Sequence, residues 1–133
     1  MNPNAALREI LVANAALNSA TSGRIYGPPG LPRTAIDLDS VSFLVSDSDH
    51  PEGGGNAPVQ VVYFDVACWG ASVEDCWTIY DLLFTALDNT TGEDTDAGRK
   101  MAAAEVSGGT DEFAESIERP FVACQYRITF RRA

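Results

Sequence analysis

The chain has 133 residues, a length that fits one domain with a single hydrophobic core and is too short for two. Hydrophobic residues make up 45% of it, and no apolar run approaches the roughly 20 residues of a transmembrane helix, so we expect no membrane partner. Nineteen acidic residues oppose nine basic ones, which gives a formal charge of −10. A field of that sign repels nucleic acid from most of the surface and disfavours tight DNA binding.

The first third of the chain predicts a helix followed by short extended segments. Apolar residues recur at helical spacing over residues 3–17, namely Ala6, Leu7, Ile10, Leu11, Ala13 and Leu17. This amphipathic helix should end within residues 18–23, which are mostly small and polar. A short extended piece at 24–26 precedes the segment 27–32, whose three prolines require a loop. We expect the next strand at residues 41–45.

A polar, glycine-rich stretch follows, from residue 47 to residue 56. It has no apolar side chain that would anchor it to a core, so its composition predicts a long and mobile hairpin tip. Such a tip is a candidate contact with a neighbouring subunit, because ordering it requires a partner surface. The candidate assembly contacts within it are Asp47, Asp49, His50, Glu52 and Gly54.

Residues 59–69 are rich in β-branched and aromatic types and predict a strand. One face of this strand is wholly apolar and the other is largely apolar except at Asp65, so we place the strand in the interior of the sheet. Ser72 then N-caps a second helix over residues 72–87. The core-facing stripe of that helix consists of Cys76, Ile79, Tyr80, Leu83, Phe84 and Leu87.

The last third of the chain predicts an acidic loop and two strands. Residues 88–98 are polar and acidic, and a strand at 101–106 precedes a turn at Gly108-Gly109, although its alanines also suit a helix. Residues 121–131 alternate apolar and polar side chains, which predicts a strand with one buried and one solvated face. Together these elements predict a single α+β domain with two helices packed on one face of a mainly antiparallel sheet.

The end of this last strand carries a basic cluster formed by Arg127, Arg131 and Arg132. These arginines are the remaining candidate assembly contacts, because they can pair with an acidic neighbouring subunit or with phosphate. At a net charge of −10, a protein partner is favoured over DNA. A purely solubilising role for the cluster stays open.

No residue pattern supports catalysis. Ser72 lies between a strand and a helix, as a nucleophile elbow does, but that motif needs glycine where Glu74 stands. The single histidine, His50, precedes the serine in a glycine-rich segment that cannot hold a base in place. Neither of the glycine motifs that bind phosphate or dinucleotides occurs. We therefore expect no enzymatic activity and no nucleotide cofactor.

Metal and disulfide sites lack support as well. The acidic runs 47–52 and 88–96 contain carboxylates but match no calcium-binding loop, so solvated loops are the simpler interpretation. The cysteines are odd in number and lack zinc-ligand spacing, which predicts buried free thiols at Cys68, Cys76 and Cys124. We expect no metal and no other cofactor.

The order of elements resembles that of one known family. The features that carry the resemblance are the first helix with Leu7, Leu11 and Leu17, the segment 23–26, the strand at 41–45, the strand ending at 66–69 with the helix directly after it, and residues 126–130. In these features the chain is similar to the tail terminator or neck proteins of long-tailed phages, a family also found in prophages and gene transfer agents. The resemblance covers most of the chain.

This resemblance implies a structural virion protein that is assembled in the host cytoplasm. Such a protein forms a ring, typically a hexamer, that closes the head-proximal end of the tail tube, stops tube growth and joins the tail to the head. Its partners would be copies of itself, the tail tube protein and the head connector, with DNA passing through unbound. Two alternatives stay open: another neck or head-completion protein, and a small-ligand-binding domain, which needs a pocket with convergent polar groups.

Overall fold

The computed structural model of the chain describes residues 2–32, 38–49, 59–88, 93–95 and 98–132. The helices in this part of the chain are α1 (Pro3–Ala13), α2 (Ala15–Thr21) and α3 (Val73–Asp88). The strands are β1 (Ile25–Tyr26), β2 (Ser40–Asp49), β3 (Val59–Trp69), β4 (Glu93–Thr95), β5 (Gly98–Ala114) and β6 (Arg119–Arg132). None of these helices has the length and apolar character needed to cross a membrane.

The six described strands form one sheet in the order β1-β2-β3-β6-β5-β4. Neighbouring strands are antiparallel except β1 and β2, which run parallel. β3 lies between β2 and β6, which confirms its predicted place in the interior of the sheet. The helices and the mainly antiparallel sheet confirm the predicted α+β class.

The N-terminal helical segment is divided in two. Asn14 leaves the helical conformation, with φ −77° and ψ 110°, and its side-chain oxygen accepts a hydrogen bond from the backbone nitrogen of Leu17 at 3.0 Å. Asn14 thereby ends α1 and caps α2. The prediction of one continuous helix over residues 3–17 is therefore wrong. The break could not be read from the apolar spacing, because that spacing continues across Asn14 and Leu17 is still buried.

The expectations for the segment after these helices are confirmed. α2 ends within residues 18–23, where Ser22 adopts a left-handed conformation with φ 51°. The extended piece at 24–26 contributes β1. Residues 27–32 contain no helix or strand, as their three prolines require.

β2 is longer than predicted. It continues from the expected residues 41–45 to Asp49, and Asp47 pairs with Tyr63 on β3 after a β-bulge. The prediction of a mobile tip is wrong for its first three residues, because pairing with β3 uses the backbone and needs no apolar side chain. The rest of the predicted tip, residues 50–56, lies outside the described residues.

β5 also extends beyond its prediction. It spans 17 residues and passes through Gly108 and Gly109, where the sequence pattern predicts a turn. Its pairing with β6 shifts register between Ser107 and Thr110, so the two glycines form a bulge inside the strand instead. The chain turns back only at residues 115–118.

The predicted acidic loop over residues 88–98 contains a strand. Glu93–Thr95 form β4, which pairs with the start of β5, and residues 89–92 and 96–97 lie outside the described part of the chain. Near this strand Lys100 is fully buried, and its ammonium group donates a hydrogen bond to the carbonyl oxygen of Leu87 at 3.2 Å. This hydrogen bond satisfies one of the carbonyl groups that the C-terminal end of α3 leaves without a partner inside the helix.

The buried side chains of the central strands lie on one face of the sheet. They alternate along the chain as Val62, Phe64, Val66 and Cys68 on β3, and as Val122, Cys124, Tyr126, Ile128 and Phe130 on β6. These side chains form one hydrophobic cluster with buried residues of all three described helices. The predicted inward and outward faces of residues 121–131 are confirmed, and the three cysteines are buried free thiols as predicted.

α3 begins where the sequence predicts. Ser72 Oγ accepts a hydrogen bond from the backbone nitrogen of Asp75 at 3.2 Å, which confirms Ser72 as the N-cap. The side chains that α3 buries are Cys76, Ile79, Leu83, Ala86 and Leu87. Phe84, which the pattern assigns to the same stripe, is 38% exposed, so the buried stripe is narrower than predicted.

Two aromatic side chains of α3 hold β5 at its glycine bulge. Trp77 Nε1 donates a hydrogen bond to Asp111 Oδ1 at 2.7 Å, and the backbone nitrogen of Gly109 donates to the hydroxyl of Tyr80 at 3.3 Å. A Cβ added at Gly109 would lie 2.9 Å from the Trp77 ring and 3.1 Å from the Tyr80 ring. Only glycine, which has no Cβ, lets the β5 backbone come this close to the two rings. This aromatic clamp, formed by Trp77 and Tyr80, fixes the direction of the β5–β6 hairpin.

Replacing Leu83 with alanine tests the centre of the core. Leu83 is fully buried, so Leu83→Ala should lower the free energy of unfolding by about 2 to 5 kcal/mol. Thr85→Ala, at an exposed position of the same helix, is the matched control and should change that free energy by less than about 0.5 kcal/mol. Urea denaturation followed by tryptophan fluorescence measures both values. Equal losses in the two variants would contradict the buried face assigned to α3.

The neighbouring glycines of the β5 bulge form a second matched pair. Gly109→Ala should cost about 1 to 3 kcal/mol of stability, because its methyl group must displace the rings of the aromatic clamp. Gly108→Ala should cost less, since the nearest atom to its Cβ would be Glu105 Oε1 at 3.4 Å. Denaturant titration of both variants measures the difference. A larger loss at Gly108 would show that the clamp does not constrain the bulge.

Candidate assembly surface

The second face of the sheet, called here the outer face, carries the side chains that alternate with the buried ones. On β3 and β6 it includes Tyr63, Asp65, Ala67, Trp69, Phe121, Gln125, Arg127 and Arg131. At one end Trp69 stacks on Phe121, with ring centroids 4.6 Å apart. Trp69 Nε1 donates a hydrogen bond to Ser42 Oγ at 2.9 Å, and Gln125 Nε2 donates to Asp65 Oδ1 at 3.1 Å. The outer face is therefore ordered by its own side-chain contacts.

A groove of about 550 Å³ runs over the outer face. Residues of β2, β3, β5 and β6 line it, together with the proline loop at residues 28–30. Leu44 of β2 lies in the groove with 50% of its surface exposed. Two of the polar lining residues, Asp65 and Gln125, are hydrogen-bonded to each other. An open groove in which this polar pair is satisfied within the protein suits a protein partner better than a small molecule.

Three of the predicted assembly contacts lie on the outer face. Asp47 pairs with Tyr63 on β3, and Tyr63 pairs with Arg127 on β6, so the two charged residues share one row across three strands. Strand spacing places their backbones about 10 Å apart. Arg131 lies four residues further along β6, and the side chains of all three charged residues are exposed. The structure thus brings together candidate contacts that the sequence pattern assigns to separate segments.

The other five predicted contacts lie at strand ends or outside the described residues. Asp49 and Arg132 are the terminal residues of β2 and β6. His50, Glu52 and Gly54 lie outside the described residues. The role of these five residues as assembly contacts stays a prediction, as does that of Asp47, Arg127 and Arg131.

Sequence reasoning missed one prominent feature, the tip of the β5–β6 hairpin. The last pair between β3 and β6 joins Trp69 and Phe121, whereas β5 and β6 stay paired as far as Ala114 and Arg119. The hairpin therefore projects past the end of β3. Its tip, defined as residues 111–119, contains the acidic residues Asp111, Glu112, Glu115 and Glu118. The density of acidic residues directly before the last strand is the sequence signal that could have identified it.

Two tyrosines surround Glu105 of β5 on the helix side of the sheet. The Tyr80 hydroxyl donates a hydrogen bond to Glu105 Oε2. Burial, followed by this hydrogen bond, raises the pKa of Tyr80 to about 12. Burial, with Cys124 and Glu105 nearby, raises the pKa of Tyr126 as well. Both phenols are therefore protonated near neutral pH, and Tyr80 joins α3 to β5 as a neutral donor.

In the part of the chain that the structure describes, the candidate nucleophiles are engaged in the fold. The Ser72 hydroxyl is used as a helix cap. Burial raises the pKa of Cys68, and it raises the pKa of Cys124 to about 12, so neither supplies a thiolate at neutral pH. Across the described ranges, no three His, Cys, Asp or Glu side chains are grouped so that they could hold a metal ion.

Alkaline titration tests the cluster around Glu105. Burial raises the pKa of Tyr80 from its ordinary value of 10.0 to about 12, so the unfolded chain releases this proton at lower pH. The free energy of unfolding should therefore fall as the pH rises from about 10 to 12. Tyr80→Phe should make that fall less steep, as measured by urea denaturation at several pH values. An unchanged slope would show that Tyr80 is not the group responsible.

The fold as a whole occurs in a known particle. No family model and no curated protein matches the sequence. The chain is similar in structure to a chain of a solved structure described as "Virion of native gene transfer agent (GTA) particle". The match covers 92% of this chain and 90% of that chain, with a TM-score of 0.62 and 16% sequence identity. A protein chain with this fold, over nearly the same length, is therefore part of a virion.

Proposed function

We propose that this protein is a structural component of a phage-type virion, and that it forms a ring at the head-proximal end of the tail tube. The ring stops growth of the tube and joins the tail to the head connector. The observation that carries the proposal is the fold shared with a chain of a gene transfer agent virion over almost the full length of both chains. The order of elements, which resembles that of tail terminator and neck proteins, supports the finer assignment.

The outer face supports a role in assembly. An antiparallel sheet with one covered face needs either water or another protein on its second face. Here the groove and the half-exposed Leu44 offer apolar surface, while Arg127 and Arg131 offer charge. These are the kinds of contact from which subunit interfaces are built. A ring repeats one such contact around its circumference.

The acidic character of the chain is compatible with the passage of DNA. A net charge of −10 repels phosphate groups, so a lumen lined by this protein would let the duplex slide without adhering. Neither an enzymatic step nor a cofactor is part of the proposal.

Two alternatives differ from the proposal in their partners. Another neck or head-completion ring would have the same virion location but would bind the head connector rather than the tube. A small-ligand-binding domain is less favoured, because groove residues Ser42, Asp65 and Gln125 already hydrogen-bond within the protein.

Addition of the purified protein to polymerising tail tube protein tests the proposal. We expect tubes that stop growing and carry a ring at one end, with a mean length that falls as more protein is added, as measured by electron microscopy. Arg131→Glu should lose this activity yet change stability by less than about 0.5 kcal/mol, because the side chain is exposed. Thr85→Glu introduces a carboxylate on the exposed side of α3 and should close tubes normally.

Tubes of unaltered length, together with binding of the protein to the head connector, would favour the neck alternative. Binding to neither partner would contradict the virion role. Normal closure of tubes by the Arg131→Glu protein would show that the basic end of β6 is not part of the interface. A badly unfolded Arg131→Glu protein would show that the inner and outer faces of the sheet are interchanged.

A further inference from the structure

The β5–β6 hairpin is acidic at its tip. The tip contains four acidic residues and one basic residue, Arg119. The guanidinium of Arg119 donates a hydrogen bond to the carbonyl oxygen of Gly70 at 3.0 Å. Glu112, Glu115 and Glu118 are exposed, and their carboxylates have no hydrogen bond or ion pair with the described residues. The tip therefore presents unpaired negative charge to solvent.

The opposite end of the same hairpin is basic on the outer face. Arg127 and Arg131 are exposed there, and neither guanidinium has a hydrogen bond or ion pair within the described part of the chain. Arg127 lies opposite Ala104 on β5, whose small side chain leaves the guanidinium accessible. Asp65, the acidic residue of β3, accepts its hydrogen bond from Gln125 rather than from either arginine.

The two charged ends cannot meet within one chain. Glu112 pairs with Phe121, and Arg131 follows ten positions later on β6. At strand spacing this separation is about 34 Å, and Glu115 lies further away still. Pairing of these charges therefore requires two molecules.

We propose that the acidic hairpin tip of one copy docks on the basic end of the outer face of the next copy. The partner is a second copy of this chain, and the contact is head to tail because its two surfaces differ, which is the arrangement that generates a ring when the rotation closes. Phe113, 58% exposed within the tip, adds an apolar side chain to the contact. This inference rests on the proposed ring-forming function and assigns the subunit contact.

Carbodiimide coupling gives a direct test, because Lys100 is the only lysine in the chain and is fully buried. Arg131→Lys keeps the charge and introduces an accessible amine at the basic end. Coupling should join position 131 to Glu112, Glu115 or Glu118, as identified by mass spectrometry of the peptides. Since these groups are about 34 Å apart within a chain, each such link joins two copies. Links should be lost at about 1 M salt, where the Debye length is about 3 Å.

Thr85→Lys is the matched control for this coupling, because it places an amine on the exposed side of α3. It should give no link to the tip carboxylates. Links from position 131 only to carboxylates outside the tip would overturn the contact, and so would a lack of links between copies. If the unmodified protein still closes tail tubes in either case, the proposed function stands and only the contact is wrong. If it closes no tubes, both are wrong.

Charge exchange provides a second measurement. One variant carries Glu112→Arg and Glu115→Arg, and the other carries Arg127→Glu and Arg131→Glu. Each alone should lose self-association and tube closure, because like charges then meet at every contact. An equal mixture should regain both, since each tip finds an opposite charge on its neighbour. Folded variants whose mixture remains inactive would overturn the proposal.

Discussion

Antiparallel pairing of β3 with β6 is the interaction on which the rest of this structure depends. Eleven consecutive residue pairs join the two strands, and successive side chains point to opposite faces of the sheet. A slip of one residue along β6 would turn Ile128 toward solvent and bring Arg127 into the core. The apolar cluster under the helices, the groove and the charged row on the outer face therefore all follow from this one register.

The aromatic clamp couples that core to the surface proposed for assembly. Trp77 and Tyr80 belong to the helix that buries Leu83. The Tyr80 hydroxyl accepts a hydrogen bond from Gly109 in the β5 bulge, and Trp77 donates one to Asp111 just beyond it. The clamp therefore orients a hairpin whose acidic tip projects beyond the body of the sheet. For a structural protein of the kind proposed, function depends on where the fold places the shape and charge of its surface. The burial that stabilises the fold also positions the surface proposed for assembly.

Sequence patterns were sufficient for the elements that bury their own side chains. β3, α3 and β6 have apolar repeats of the strand or helix period, so each pattern predicts both the element and most of its inward face. Where backbone pairing alone holds an element, the side-chain pattern does not predict it. The polar end of β2 and the alanine- and glycine-rich β5 are strands because β3 and β6 offer them hydrogen bonds. For the same reason the hairpin tip went unrecognised.

The sequence by itself determined the α+β class, the inward residues of the central strands, the buried thiols and the Ser72 cap. Each follows from hydrophobicity or hydrogen bonding within one short segment. Only the tertiary structure decided that Asp47 shares a row with Arg127, and that acidic and basic groups occupy opposite ends of one hairpin. Strand order and register create these neighbours. Both arise from pairing between segments far apart in the chain, which no local pattern specifies.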